Sequence, residues 1–574
     1  MKLNRLARIS PHVILGIAAL LILILRTTPA QSPTPLTIPP PTTIKVATRL
    51  VTVDVVAQDK KGQPVQGLTK DDFELWEDGE QQRISVFSVE GNPTPPGPVE
   101  GSLAPTVPGA APPATLPPQT VSNRPASPPD APATATVILL DGLNTNSYNL
   151  AMADNQVAQF FRRLGPQDRV ALYSMGAYLR VLQDFTNDPA LLLNALKEMN
   201  PPKGVAQLAP PALSVPVGEF VFQGATGPGT ALSTQPGWDP SQVFAVLQRP
   251  RMTMSMFAAI GEHLAKIPGR KTLIWMSYGF PLIVDVCPAP RAPCNKVDLT
   301  PDVRSISRRL SNYHVALYPI DARGLVVGEY GGGSQPIALS LSGPVKAMLN
   351  AHDASVLLAD LTGGRAVNND NDFALAIRSA IDDAHLTYLL GYYPAADKWD
   401  SQFHTFKVRV NRPGVKLLYR TGYIAIDPQN QPPDERQRRL DSALQSPLDS
   451  TAIGFRAQLQ KSGASGTPQL TLSLIVDITD LQMKQDNHHW TGGVEIVIAQ
   501  RGPEGNVASE NTRKHSVTLN LKEDYYTQLQ KKGLSLSFPV TLDPHSVQLK
   551  VLVCDTNSGA MGSVSIPLDK TAGE

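Results

Sequence analysis

Between residues 133 and 393 the sequence alternates apolar runs of strand length with segments of helical period, and this alternation limits the fold more than any other feature. The runs 136–140, 169–175, 272–276, 314–320 and 386–392 are nearly continuous in Val, Ile, Leu, Ala and Tyr. A strand covered on both faces reads as such a run, whereas a strand with one wet face alternates. Between them, 149–164, 190–199, 303–313, 354–361 and 373–385 carry helical patterns, and 244–267 ends in a helix from Met252, stopped by Pro268-Gly269. The expectation is an α/β unit over 134–393, a doubly wound, mostly parallel sheet with helices on both faces. A further strand at 178–182 follows Gly176-Ala177 so closely that the two strands form a hairpin at a sheet edge. A Gly- and Pro-rich insert occupies 200–239.

Proline divides the rest of the chain. Fourteen of the 53 prolines fall between Pro93 and Pro132. Each fixes φ and removes a backbone donor, so 91–133 is expected to be an extended linker. Ahead of it, 44–90 contains a strand at 50–57 and two more at 73–76 and 84–87, separated by the Asp78-Gly79 turn. Three short strands make too small a core to stand alone. Residues 394–426 add strands at 405–410 and 416–425, and the two segments are expected to join in one sandwich from which the α/β unit is inserted. A polar stretch at 427–450 reads as a second linker. Six strands over 451–570, with turn signals between them, predict a C-terminal β-sandwich of Ig-like type.

The first residues address the protein. Lys2, Arg5 and Arg8 precede an apolar run from Val13 to Leu25, with small residues before Ala30. This is the pattern of a secretory signal over 1–30, cleaved after Ala30, and the run is short of the roughly 20 residues that span a bilayer. The protein is expected to be exported to the periplasm, outer surface or exterior, with no integral membrane segment after cleavage. A net charge of +1 leaves no surplus of cations to neutralise phosphates, which argues against nucleic acid as a partner. Cys287 and Cys294 have a spacing that would close a small loop in an oxidising compartment, while Cys554 ends an apolar run and reads as a buried hydrophobe.

The stretch Val137-Ile138-Leu139-Leu140-Asp141-Gly142-Leu143-Asn144-Thr145 resembles the first strand and metal loop of a von Willebrand factor A (VWA) domain. The resemblance continues in Gln167-Asp168-Arg169-Val170, Pro268-Gly269-Arg270-Lys271 and Leu361-Thr362-Gly363-Gly364. With Leu68-Thr69-Lys70-Asp71-Asp72-Phe73 upstream and Tyr388-Leu389-Leu390-Gly391-Tyr392 downstream, the order over 44–426 is similar to exported bacterial VWFA-related proteins of acidobacterial type. The resemblance implies a Rossmann-like fold and a Mg2+ site built on an Asp-x-Ser-x-Ser loop, a Thr from a second loop and an Asp from a third. On this chain Asp141 and Thr145 fill the first and last places of the first loop, and Thr226 or Thr230 supplies the second. Leu143 brings no oxygen to the middle place, and Ser277-Tyr278-Gly279 stands where the third-loop Asp belongs. The implied site is therefore degenerate: Asp141, Thr145 and Thr230 are its candidate Mg2+ ligands. The plainer reading has Asp141 capping the following helix with Thr145 in support.

Ligands of open α/β sheets sit beyond the carboxyl ends of the strands. Asn144, Ser174, Ser277 and Asp321 stand at such ends and define the expected binding edge. Ser277 lacks the small residue two places earlier that a nucleophile elbow needs, since Trp275 is there. Gly331-Gly332-Gly333-Ser334 lacks the Lys of a phosphate loop, and His488-His489 reads as a solvated loop pair. Arg270-Lys271 lies at the opposite strand end, as a solvated turn. The function expected is protein binding or adhesion without catalysis. The rival is a secreted hydrolase using the strand-end loops, through Ser277 or Asp321, and it requires a His or carboxylate within hydrogen-bond reach of Ser277.

Overall fold

The computed structural model describes residues 50–91, 120–124, 134–145, 147–199, 240–286, 295–325, 343–394, 400–425, 433–462, 469–486, 488–503 and 507–568. The expected leader, most of the 91–133 tract, Thr226, Thr230, Cys287, Cys294 and the glycine run at 331–333 lie outside them. The described elements belong to one contact unit, Thr48–Glu574.

Four strands come first: β1 (Val51–Gln58), β2 (Phe73–Glu77), β3 (Glu80–Gln82) and β4 (Val86–Gly91), with the short β5 (Thr120–Ser122) after them. The α/β segment then runs β6 (Ala135–Asp141), α1 (Ser147–Phe161), β7 (Val170–Met175), β8 (Leu179–Thr186), α2 (Pro189–Met199) and α3 (Pro240–Leu264). It continues through β9 (Lys271–Ser277), β10 (Ile283–Val286), β11 (Asn295–Asp298), α4 (Thr300–Asn312), β12 (Val315–Asp321), α5 (Gly343–Thr362) and α6 (Phe373–Asp382). Strands β13 (Leu386–Tyr392), β14 (Phe403–Val410), β15 (Lys416–Leu418) and β16 (Gly422–Ile424) precede helix α7 (Pro433–Gln445). The C-terminal elements are β17 (Phe455–Ser462), β18 (Gln469–Val476), β19 (Lys484–Asp486), β20 (His489–Arg501) and β21 (Val507–Lys522). Helix α8 (Glu523–Lys532), β22 (Leu534–Val540), β23 (Gln548–Asp555) and β24 (Met561–Pro567) complete them.

The central sheet has the order β12-β9-β6-β7-β8. Its first three pairings are parallel and the last, β7 with β8, is an antiparallel edge hairpin. Every residue of β6, β9 and β12 is buried, as the unbroken apolar runs predict. Side chains alternate between two cores. Val137, Leu139, Leu273, Trp275 and Leu317 pack with residues of α3, α4 and α5, including Phe257, Leu310 and Leu358. Ile138, Leu140, Ile274, Met276 and Tyr318 pack on the other face with α1, α2 and α6, through Val157, Phe161, Leu192 and Ile377. Helix α3 begins at Pro240 and carries Pro250 inside it, so it starts well before Met252.

Three boundaries differ from the sequence reading. The run 386–392, expected in the parallel sheet, is β13, which lies antiparallel between β1 and β4. A strand buried on both faces looks alike whichever sheet it enters, so the apolar run carried no information about its neighbours. In the 91–133 tract, Thr120–Ser122 is a strand paired with β17. In the 427–450 stretch, Pro433–Gln445 is a helix whose Leu440, Ala443 and Leu444 pack on Val497, Ala499 and Leu552. Its strongly polar composition hid a narrow apolar stripe.

The strands around the α/β segment form two small sheets, β15-β1-β13-β4 and β16-β14-β2-β3. Phe73, Leu75 and Val408 face Val53, Tyr388 and Leu390 in a common core, so the residues before and after the α/β segment complete each other. Strand β2 pairs directly with β14, Leu75 opposite Val408. At the C-terminus, the sheet β22-β18-β17-β5 and the sheet β19-β20-β23-β24, extended by β21 beside β20, enclose a third core that includes Phe455, Leu472, Ile496 and Val551. Among the described residues no helix is long and apolar enough to cross a membrane.

Candidate functional site

The parallel pairing carries Asp141, Ser277 and Asp321 to the same side of the central sheet, at the carboxyl ends of β6, β9 and β12. Ser174, one residue before the end of β7, lies opposite Leu140. Asp141 and Ser277 meet. The Ser277 hydroxyl donates to Asp141 Oδ2 at 2.6 Å, and the Trp275 indole N–H and the Asn144 amide donate to the same oxygen at 2.9 and 2.7 Å. The backbone N–H groups of Leu143 and Asn144 donate to Oδ1 at 2.8 and 2.9 Å. The carboxylate is fully buried, and burial pushes its pKa above the usual value while the bonds from Ser277, Asn144 and Trp275 hold it back.

Asp141 does not cap α1, the plainer role expected of it. Its side chain closes the turn at Leu143 and Asn144, before the helix begins at Ser147. The Thr145 hydroxyl, which is buried, accepts from the Tyr278 backbone N–H at 3.2 Å and so ties the loop after β6 to the loop after β9. Thr253 on α3 escaped the sequence reading. Its hydroxyl accepts from the Asn144 amide at 2.9 Å and donates to Arg249 O at 3.0 Å. A lone hydroxyl between Met252 and Met254 was the available signal. Trp275, read as a strand residue, was a second omission: its ring is buried in one core while its N–H reaches Asp141.

Asp321 forms a separate group. Arg323 Nε and Nη2 donate to its carboxylate at 2.8 and 2.7 Å, and His352 Nε2 lies 2.8 Å from Oδ2. The Arg323 guanidinium also sits 5.1 Å from the centre of the Tyr278 ring. The two groups are joined by backbone, since the Ala322 N–H donates to Ser277 O at 3.1 Å. Ser174 makes no side-chain hydrogen bond to either group among the described residues. Three large apolar side chains stand exposed in the segments that follow β6, β7 and β12: Tyr148 (72%), Tyr178 (67%) and Leu325 (51%).

A hard divalent cation takes oxygen ligands in near-octahedral array. Around Asp141 four of the five groups at the carboxylate are nitrogen donors whose hydrogens point at its oxygens, and the fifth is the Ser277 hydroxyl. A carboxylate offers about four lone-pair positions, so these donors leave none over. Leu143, in the middle place of the loop, is buried and apolar. This set does not fit Mg2+. Among the described residues no group of three His, Cys, Asp or Glu side chains converges.

The other strand end departs from the solvated turn expected of Arg270 and Lys271: both are about 2% exposed. Arg270 donates to Gly363 O and to the Tyr318 hydroxyl, and Lys271 Nζ to Ile267 O at 2.9 Å. Burial pushes the Lys271 pKa down to about 8, against the pull of Asp54 and Glu90. The reason is tertiary. Strand β1 covers this end of the sheet, and its Asp54 lies 2.9 Å from His314 Nδ1, just before β12.

No family model matches the chain, and no curated protein matches it. Among solved structures it is similar to an aerotolerance-related membrane protein from Bacteroides fragilis at 11% identity, covering 43% of this chain and 98% of that one, with a TM-score of 0.24. BatB from Bacteroides thetaiotaomicron gives 12% identity, 44% and 98% coverage and a TM-score of 0.23. The SpRpn10 VWA domain gives 14% identity, 42% and 93% coverage and a TM-score of 0.19.

Proposed function

We propose that this protein is an exported, non-catalytic binding module: a doubly wound VWA-like domain, carried on a small β-module and followed by an Ig-type β-sandwich. It docks a protein partner through the loops after β6, β7, β9 and β12, without a metal ion. The observation that carries this reading is the hydrogen-bond closure of Asp141. In the VWA pattern a cation holds the strand-end loops together, and here Asn144, Trp275 and Ser277 fill that place with N–H and O–H donors. The edge that results is flanked by exposed Tyr148, Tyr178 and Leu325, and tyrosines are among the side chains that anchor protein interfaces.

The hydrolase reading has one point in its favour, the Ser277–Asp141 hydrogen bond. Against it, Ser277 is 4% exposed and its hydroxyl is engaged by Asp141 and by the Gly279 N–H at 2.9 Å. A nucleophile needs an attacking path and a base free to take its proton. Both readings meet in one experiment. Calorimetric titration of wild type and Asp141→Ala with Mg2+ and Mn2+ is expected to give no binding heat in either, and binding of the mature chain to envelope fractions is expected to persist in EDTA. The triple variant Tyr148→Ser/Tyr178→Ser/Leu325→Ser should lose that binding. A Mg2+ heat abolished by Asp141→Ala, or labelling of Ser277 by a serine-hydrolase reagent, would overturn the proposal.

A further inference from the structure

The outer face of the second C-terminal sheet carries a polar trough that the binding edge does not use. It is a cavity of about 320 Å3 lined by Lys484, Thr491, Gly493, Ser516, Thr518 and Thr556, with Asn557 at its rim. That volume reaches the lower end of the range of small-molecule sites, about 300 Å3. Register explains its shape. Thr518 lies opposite Gly493 and Ser516 opposite Glu495, so the outward row of β20 has a gap at the glycine between Thr491 and Glu495. A side chain there would meet Thr556 Oγ1 at 2.9 Å and Val517 O at 3.2 Å.

The walls are fixed. Thr556 Oγ1 donates to Gly493 O at 3.0 Å, the Asn557 amide donates to Gln482 O at 2.8 Å, and Thr491 Oγ1 donates to Lys484 O at 3.2 Å. A hydroxyl that donates in this way keeps its oxygen as an acceptor. Among the described residues, Lys484 Nζ, Ser516 Oγ and Thr518 Oγ1 have no hydrogen-bond partner or ion pair, and all three residues are exposed. Among the described side chains of this row on β20 and β21, the unpaired charge is positive. Lys514 and Lys522 share the outward row with Ser516 and Thr518, and the acid of that row on β20, Glu495, is neutralised by Arg436 at 2.7 Å. A row of hydroxyls that both donate and accept suits a hydroxylated ligand, and an unpaired ammonium selects an anionic one.

We propose that this trough binds an acidic saccharide, a sugar unit bearing a carboxylate or sulfate, with Lys484 on the anionic group and Thr491, Ser516, Thr518 and Thr556 on the hydroxyls. The role is separate from protein docking at the central sheet. The test is calorimetric titration of the full mature chain with oligogalacturonate, with the matching neutral oligosaccharide and with inorganic sulfate. Oligogalacturonate is expected to bind, with the neutral sugar and sulfate each at least tenfold weaker. Lys484→Gln should weaken oligogalacturonate binding by about tenfold, the worth of one charge-assisted hydrogen bond. Thr518→Leu, which fills the trough from an exposed strand position, should abolish it with an unchanged melting temperature. No heat with oligogalacturonate, equal affinity for the neutral sugar or for sulfate, or full binding by Lys484→Gln would each overturn the proposal. Failure here leaves the central binding edge untouched, because neither variant lies near it.

Discussion

His404 on β14 is held between two carboxylates, with Nδ1 2.7 Å from Asp78 Oδ2 and Nε2 3.1 Å from Asp400 Oδ1. Burial opposes its charge, but the hydrogen bonds and attraction of Asp78 and Asp400 prevail and raise its pKa above 6.5. Asp78 in turn is lowered below 3.8: burial works against it, and the Thr405 N–H, His404 and the Thr405 hydroxyl outweigh burial. Signs then follow from linkage. The histidine contributes stability that is fully present below its unfolded value and lost as pH rises through its raised folded value. The aspartate contributes above its unfolded value, and that contribution is lost as pH falls through its lowered folded value. Thermal melts from pH 5 to pH 9 should show a decline on the alkaline side of 6.5 that His404→Gln removes; a flat profile in wild type would contradict this. Nothing in the sequence marked His404, because its partners lie on the β2–β3 turn and before β14. The opposite holds for Asp141, which the strand-loop motif singled out, though its role differs from the one the motif implied.

Helix α7 shows how an element can hide in a polar stretch. Its sequence Pro433-Asp434-Glu435-Arg436-Gln437-Arg438-Arg439-Leu440 reads as solvated linker. Its buried apolar residues, Leu440, Ala443 and Leu444, lie at i, i+3 and i+4, one face of a helix. Arg501 secures the helix end by donating to Leu444 O and to Ser446 O. Leu440→Ala is expected to cost about 3 kcal/mol in chemical denaturation, within the range for a buried leucine. A loss below about 0.5 kcal/mol would return the segment to the status of a surface tether. Strands β6, β7, β9 and β12 were legible because burial on both faces leaves an unmistakable apolar run. Strand β5 was not, since Thr120-Val121-Ser122 takes its order from β17, more than 300 residues away along the chain.

At the scale of the molecule, Glu262 on α3 joins the α/β segment to the C-terminal sheets. It is paired with Arg309 on α4 and lies 3.7 Å from Arg439 on α7, while the Ser450 hydroxyl donates to it at 3.4 Å. Glu262→Ala would leave two guanidinium groups facing each other in a buried site, at a cost of about 3–5 kcal/mol. Calorimetric unfolding is expected to change from one transition to two as the halves uncouple; a single transition at the wild-type temperature would show that the contact carries no load. The sequence alone determined the alternation of strands and helices, the parallel character of the central sheet, the edge hairpin, and the placement of Asp141, Ser277 and Asp321 at strand ends. These are local facts, set by hydrophobic period and by chain direction. Only the tertiary structure decided which sheet received β13, what buried Arg270 and Lys271, and that Asn144, Thr253, Trp275 and Ser277 would close around one carboxylate. Those outcomes depend on which surfaces meet across hundreds of residues, and the period of a single segment holds no record of its partner.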